Sequence, residues 1–204
     1  MICYIVGAGD FYGEITPDSG DTVIAADGGY DTLLGLKITP DVIIGDMDST
    51  ALGEMPSDIQ VIKHPVEKDE TDAYLAYRIG VQKGYRDFRL YGGVGGRPDH
   101  TFANYSLLYG AKLEGNRVVL VDKNYEVFVI KDETLSMTGR TGSTFSVFAI
   151  GGKCESVTIN GAKYNASGVS LDESFALGVS NSFIGGNVTV EAKGGALLIM
   201  KETS

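Results

Sequence analysis

Six short apolar runs divide the first 121 residues, and most of them stop on a glycine or an aspartate. They are Ile2–Val6, Thr22–Ala26, Val42–Ile44, Ile59–Ile62, Phe88–Tyr91 and Arg117–Val121. Each is too short for a stable helix and lacks polar–apolar alternation, the pattern of a strand covered on both faces. Helix-like segments lie between them. Tyr30–Leu36 reads as a short helix, stopped ahead of Pro40. Ala73, Ala76, Tyr77 and Gly80 form one helical stripe, with Asp69 or Thr71 to cap its start and Gly84 to end it. Phe102–Leu113 is a second helix. Strands that alternate with helices pair in parallel and build a three-layer α/β unit.

After Asp122 the pattern changes. Tyr125–Ile130, Ser143–Ile150, Ser156–Ile159, Val188–Glu191 and Leu197–Met200 are β-type runs separated by Gly, Asn, Ser and Lys, and no helical period intervenes. This reads as an antiparallel sandwich or barrel of about 80 residues. The expected fold is therefore α/β: an N-terminal three-layer parallel-sheet domain over 1–123, then a C-terminal all-β sandwich domain over 124–204.

The chain has 204 residues and a formal net charge of −10. Such an acidic balance speaks against a nucleic-acid binder, which needs a cationic face for phosphates. Nearly all of the excess falls in residues 1–100, where 13 Asp and 4 Glu face 8 Lys and Arg. The N-terminus MICYIVGAGD has no basic leader or cleavage site, and no apolar run approaches the ~20 residues of a membrane span. A cytoplasmic protein with no membrane partner is expected. Cys3 and Cys154 match no metal spacing and read as small apolar residues.

Ligands of open α/β sheets bind beyond the carboxyl ends of the strands. Of the five segments richest in Asp and Gly, four lie at such ends: Ala26–Gly29, Ile44–Ser49, Lys68–Asp72 and Gly92–His100; the fifth is Gly7–Asp10. Asp46-x-Asp48 could share a hard cation, or each could bond its own backbone in an Asx turn. Asp69 and Asp72 bracket a helix start, where they serve as caps or face a cation that brings phosphate to the helix terminus. Four glycines in five positions from Gly92 to Gly96 open backbone N–H groups to a ligand, and Arg97 adds a planar fork for phosphate oxygens. His100 could orient a phosphate, move a proton or cap its helix. Ser180–Phe183 is a polar turn beside an aromatic.

This ordered set resembles thiamine pyrophosphokinase. The pieces that match are Ala26–Gly29, Gly45–Ser49, Lys68–Asp72, Gly92–His100 with Asn104, and Ser180–Phe183. The resemblance implies transfer of a diphosphate from ATP to the hydroxyl of thiamine, giving thiamine diphosphate and AMP, with Mg²⁺. It also implies a homodimer with sites at the interface. Carried over by position, Asp46, Asp48, Asp72 and Asp99 are the metal and catalytic carboxylates. Asp27, Asp69 and Arg97 are nucleotide contacts, and Ser180 and Asn181 are thiamine contacts. Met47 stands where an aromatic is usual and Ser182 where Glu is frequent. Without Trp, any ring stacking falls to Tyr or Phe. A metal-dependent nucleotide-sugar transferase and a non-catalytic nucleotide or thiamine sensor are the alternatives on the same motifs.

Overall fold

The computed structural model describes residues 1–45, 59–63 and 70–203. The chain divides into two compact units, Met1–Leu107 with Gly115–Lys123, and Leu108–Glu114 with Asn124–Ser204.

The first unit is built on six strands: β1 (Ile2–Val6), β2 (Thr22–Ala26), β3 (Val42–Gly45), β4 (Gln60–Lys63), β5 (Asp87–Tyr91) and β6 (Arg117–Val121). All neighbours pair in parallel, in the order β6-β5-β1-β2-β3-β4. The strand order thus reverses between β1 and β5. A crevice opens at such a reversal, because the connections leave the two strands in opposite directions. The apolar runs at the centre of the sheet are strands buried on both faces, whereas Val61 and Ile62 of the edge strand β4 are only half-buried. Every described side chain of β2 and β3 is buried.

Helix α1 (Gly29–Gly35) follows β2, α2 (Asp72–Gln82) follows β4, and α3 (Pro98–Leu113) follows β5. Of the two caps available to α2, Thr71 is used: its Oγ accepts the Tyr74 N–H at 3.2 Å. The helix ends in a Schellman motif, with Gly84 at φ +95°, Tyr85 N–H on the Gly80 carbonyl and Gly84 N–H on the Val81 carbonyl. The same motif closes α1, but there Lys37 takes the left-handed position at φ +60°. The apolar stripe of α2 buries Ala76, Tyr77 and Gly80. Gly80 lies against the Phe88 ring and the Cys3 thiol, so these side chains of the sheet pack directly on the α2 backbone. On the other face Phe11 stacks on Tyr91 at 5.3 Å. Helix α3 begins four residues before the expected Phe102, because Pro98 is preset for the first helical turn. Asp99 and His100 consequently sit in that turn.

The second unit holds two antiparallel sheets. One runs β12 (Asn181–Ser182), β9 (Thr144–Ile150), β14 (Ala196–Glu202), β7 (Tyr125–Lys131). The other runs β11 (Ala166–Leu171), β10 (Cys154–Asn160), β13 (Asn187–Lys193), β8 (Thr134–Thr138). In β13, Val188, Val190 and Ala192 are buried while their neighbours are not, the alternation of a sandwich strand. Phe145 and Phe183 are fully buried with rings 5.1 Å apart. Cys3 and Cys154 are buried free thiols, and burial pushes Cys3 up to about 12, so it is an inert apolar group.

Two substitutions test the packing of the first unit. A Cβ on Gly80 would enter the Phe88 ring, so Gly80→Ala should cost about 1–3 kcal/mol in chemical denaturation. Lys37→Gly should stabilise by up to about 1 kcal/mol, because it relieves a left-handed lysine.

Glu202 gives a pH test in the second unit. Its Oε2 accepts the Thr144 N–H at 2.6 Å and the Thr144 hydroxyl at 2.9 Å. These bonds hold its carboxyl below the ordinary 4.5. The folded value is the lower one, so the contribution is complete above 4.5 and disappears as pH falls through the folded value. Glu202→Gln should lower the thermal midpoint at neutral pH, and the gap should close in acid.

Candidate active site

The reversal between β1 and β5 is held by two interlocked turns. The Gly7 N–H donates to the Tyr91 carbonyl at 2.8 Å, and the Gly9 N–H to the Gly92 carbonyl at 2.9 Å. A Cβ on Gly7 would come within 2.9 Å of the Gly92 oxygen, and one on Gly9 would fall on the carbonyls of Gly92 and Val94. Only glycine fits this approach. Gly92, Gly95 and Gly96 also take φ of +61°, +87° and +73°, a backbone that L side chains rarely adopt.

A pocket of about 380 Å³ opens above these turns. Its floor is Gly7–Asp10 and the glycine run, and Ala26 with Asp27 forms a second wall. The start of α2 contributes Thr71, Asp72 and Ala73, and α3 contributes His100 and Asn104, with Arg97 just ahead of it. Two helix N-termini therefore border one crevice, each with backbone N–H groups lacking intrahelical partners.

Asp27 is placed by its backbone. It sits at φ +52°, half-buried, and its N–H donates to the Ile44 carbonyl at 2.7 Å. The Gly45 Cα stands beside it, since a Cβ there would be 3.3 Å from the Asp27 Cα. The chain thus leaves β3 alongside Asp27, one residue before Asp46. Asp46, Asp48 and Asp69 lie outside the described residues, as does His64. Of the expected phosphate-side residues, Asp27, Asp72 and Arg97 share the pocket. Asp99 does not line it. Its carboxylate grips Arg97, with Oδ1 on Nε at 3.2 Å and Oδ2 on Nη2 at 2.5 Å. The Arg97 hydrogen bond holds the Asp99 carboxyl below its usual range, and raises the already basic Arg97.

Asp10, Asp27 and Asp72 line a crevice that also offers N–H groups and a guanidinium. Oxygen donors of this kind suit a hard divalent cation, which would reconcile the carboxylates with a phosphate guest. Among the described residues no three His, Cys, Asp or Glu side chains stand close enough to hold an ion alone. Asp10 was missed as a lining residue by the sequence reading, although Gly7–Asp10 carries the same signal as the other segments.

The second unit contains a separate cavity of about 390 Å³, lined by apolar residues of β9, β10 and β11 with Tyr164 and Asn181. Asn181 is buried and fully engaged. Its Oδ1 accepts the N–H groups of Tyr164 at 3.0 Å and Ser182 at 2.8 Å, and its Nδ2 donates to the Tyr164 carbonyl at 2.7 Å. Ser180 is left-handed at φ +59°, donates its N–H to the Ser146 hydroxyl at 3.0 Å, and does not line the cavity. The aromatic residue whose backbone Asn181 holds is Tyr164, which is 59% exposed. It is a candidate the sequence reading did not single out.

Comparison with known proteins follows this division. The family described as thiamin pyrophosphokinase, catalytic domain, matches residues 16–120. The thiamin pyrophosphokinase vitamin B1 binding domain matches residues 127–197. Thiamine pyrophosphokinase of Bacillus subtilis is 25% identical over 185 residues, covering 88% of this chain and 86% of the relative. A crystal structure of thiamine pyrophosphokinase from Bacillus subtilis superposes with a TM-score of 0.91 at 25% identity, covering 100% of both chains. One of thiamin pyrophosphokinase from Geobacillus thermodenitrificans does so with a TM-score of 0.85 at 25% identity, covering 100% of this chain and 98% of that one.

The two neighbours in the β unit should respond differently to substitution. Asn181→Ala strands buried groups around Tyr164 and should cost about 1–3 kcal/mol in urea unfolding. Ser180→Gly should be neutral or stabilising, because glycine takes φ +59° without strain.

Proposed function

The chain belongs to the thiamin pyrophosphokinase family and is an enzyme that transfers a diphosphate group from ATP to thiamine, and we propose how its residues divide that work. Residues 1–123 form the catalytic, ATP-binding domain, and residues 124–204 bind thiamine. The observation that carries the phosphate side is the crevice at the β1/β5 reversal, where Asp27, Asp72 and Arg97 meet glycine N–H groups and two helix N-termini. The nucleotide-sugar transferase and sensor alternatives have no support from the relatives.

Diphosphate transfer is chiefly positioning and charge neutralisation. The thiamine hydroxyl attacks the β-phosphorus of ATP, the bond to the α-phosphate oxygen breaks, and AMP leaves. Arg97 and the glycine N–H groups are placed to receive charge on the transferred phosphate oxygens. Asp72 and Asp99, with Asp46 and Asp48, would be the oxygen donors for Mg²⁺; Asp27, expected as a nucleotide contact, lines the same crevice and could join them, and Asp69 would assist the nucleotide. Magnesium supplies neutralisation of the polyphosphate charge when bound. For these carboxylates to serve, Asp99 must exchange Arg97 for its new partner. Both side chains are largely exposed, at 63% and 70%, so that exchange has a low cost.

On the thiamine side, Asn181 acts by holding Tyr164, and Ser180 is a polar contact in the same turn. Thiamine is cationic and aromatic, and an exposed tyrosine face suits it. Tyr164, Phe175, Leu177, Val179 and Ile184 are exposed apolar residues of this unit. Their cover is a second copy of the chain, in a homodimer whose sites form at the interface. No described helix is long and apolar enough to cross a membrane, and we place the enzyme in the cytoplasm.

With ATP, Mg²⁺ and thiamine, the purified protein should release AMP and thiamine diphosphate in equal amounts. Release of ADP, or no turnover, contradicts the reading. Asp27→Asn and Asp72→Asn should each lower kcat/KM at least about 100-fold in folded protein, the loss expected of a metal-side carboxylate.

A further inference from the structure

Asn104 stands apart from the charged residues of the crevice. It is a neutral side chain on α3, only 6% exposed, and it lines the pocket. Its Nδ2 donates to the Gly93 carbonyl at 2.7 Å, eleven residues back in the chain. Gly93 has no positive φ to explain its glycine. Its cause is crowding: a Cβ there would lie 3.1 Å from Leu90, and 3.2 Å from both Leu120 and the Asn104 amide nitrogen. The 93–94 peptide is therefore clamped between sheet side chains and one carboxamide. Because that peptide is planar, fixing its carbonyl fixes the plane through which the chain enters Val94, the residue before Gly95 and Gly96. Those two glycines are in the left-handed region, a Cβ on Gly96 would meet nothing within 4 Å, and both line the pocket. Gly95 stands against the Asp10 carboxylate, 2.9 Å from the place a Cβ would take, and Gly92 is tied to Gly9, so the Gly93 carbonyl is the point of the run that a side chain of α3 holds.

We infer that Asn104 is the positioning residue of the phosphate turn: by holding the Gly93 carbonyl it keeps residues 92–96 in the shape that receives the ATP phosphates. It touches the turn, and its effect on substrate passes through that backbone. The inference rests on the placement of ATP at this crevice given above. Asn suits the task because its N–H donates to a carbonyl without bringing charge beside the phosphates. Asp at this position would offer an oxygen to an oxygen, and Leu would leave the carbonyl unmet in a buried place.

The test is calorimetric binding of α,β-methylene-ATP with Mg²⁺, and separately of thiamine, to folded wild-type protein and to Asn104→Leu and Asn104→Asp. Both variants should bind the nucleotide analogue at least about tenfold more weakly and thiamine within about twofold of wild type. The Asp variant carries a further signature. Once protonated, its carboxyl can donate to the Gly93 carbonyl, so its deficit relative to wild type at the same pH should shrink from about pH 8 to about pH 5.5. Folded variants with wild-type analogue affinity overturn the inference, as does a proportional loss of both ligands, which is what a merely structural residue would produce. A wild-type protein that binds the analogue yet forms no AMP from ATP and thiamine breaks the functional reading and leaves the role of Asn104 standing.

Discussion

The structure of the catalytic unit depends on the close approach of two backbones, Gly7–Gly9 at the end of β1 and Gly92–Val94 at the end of β5. The sheet reverses its order there, and the glycine run, Arg97 and the starts of α2 and α3 border one crevice around that seam. A side chain on any of three glycines would collide with a carbonyl of the opposite turn, so the seam stays bare main chain. Bare main chain is also what an anion needs, because its N–H groups are the donors least encumbered by side chains. One steric constraint thus sets both the topology and the chemistry.

The seam also explains how an acidic protein can accept a polyanion. The described carboxylates gather at the same edge because β1 and β2 end there, ahead of Asp10 and Asp27, and helix α2 begins there, at Asp72. Alone they would repel phosphate, and Arg97 is already taken by Asp99 in the free protein. In the proposed reading a hard cation would resolve the conflict by taking carboxylate and phosphate oxygens together. Asp27, in the left-handed region and bonded to the end of β3, is the described residue best fixed for that role. A strained residue at a functional crevice is where such strain is expected to persist.

Much of this was legible in the sequence because strong signals were short-range. Apolar runs ending on Gly or Asp located β1, β2, β3 and β5, and the Ala76–Tyr77–Gly80 stripe located α2. The seam itself was not legible, since it joins glycines more than eighty residues apart that no periodicity links. In the β unit, β8, β11 and β12 were missed. Thr134–Thr138 is polar on most positions and is a strand through its pairing with β13, and Ala166–Leu171 carries a glycine in its interior. β12 has only two residues. Asn104 and Asn181 came with the family motifs, but the reason for each is a hydrogen bond to backbone, to Gly93 and to Tyr164, that becomes visible only in three dimensions.

The central claim is that the β1/β5 seam receives the triphosphate. Backbone amide chemical shifts of isotopically labelled protein, followed while Mg²⁺ and α,β-methylene-ATP are added, test it most directly. The account predicts saturable shifts at Gly7, Gly9, Gly92, Gly93, Gly95 and Gly96 and at the first turn of α2, with β10 and β13 unmoved. Shifts confined to the β unit, with the six glycines silent, would contradict it.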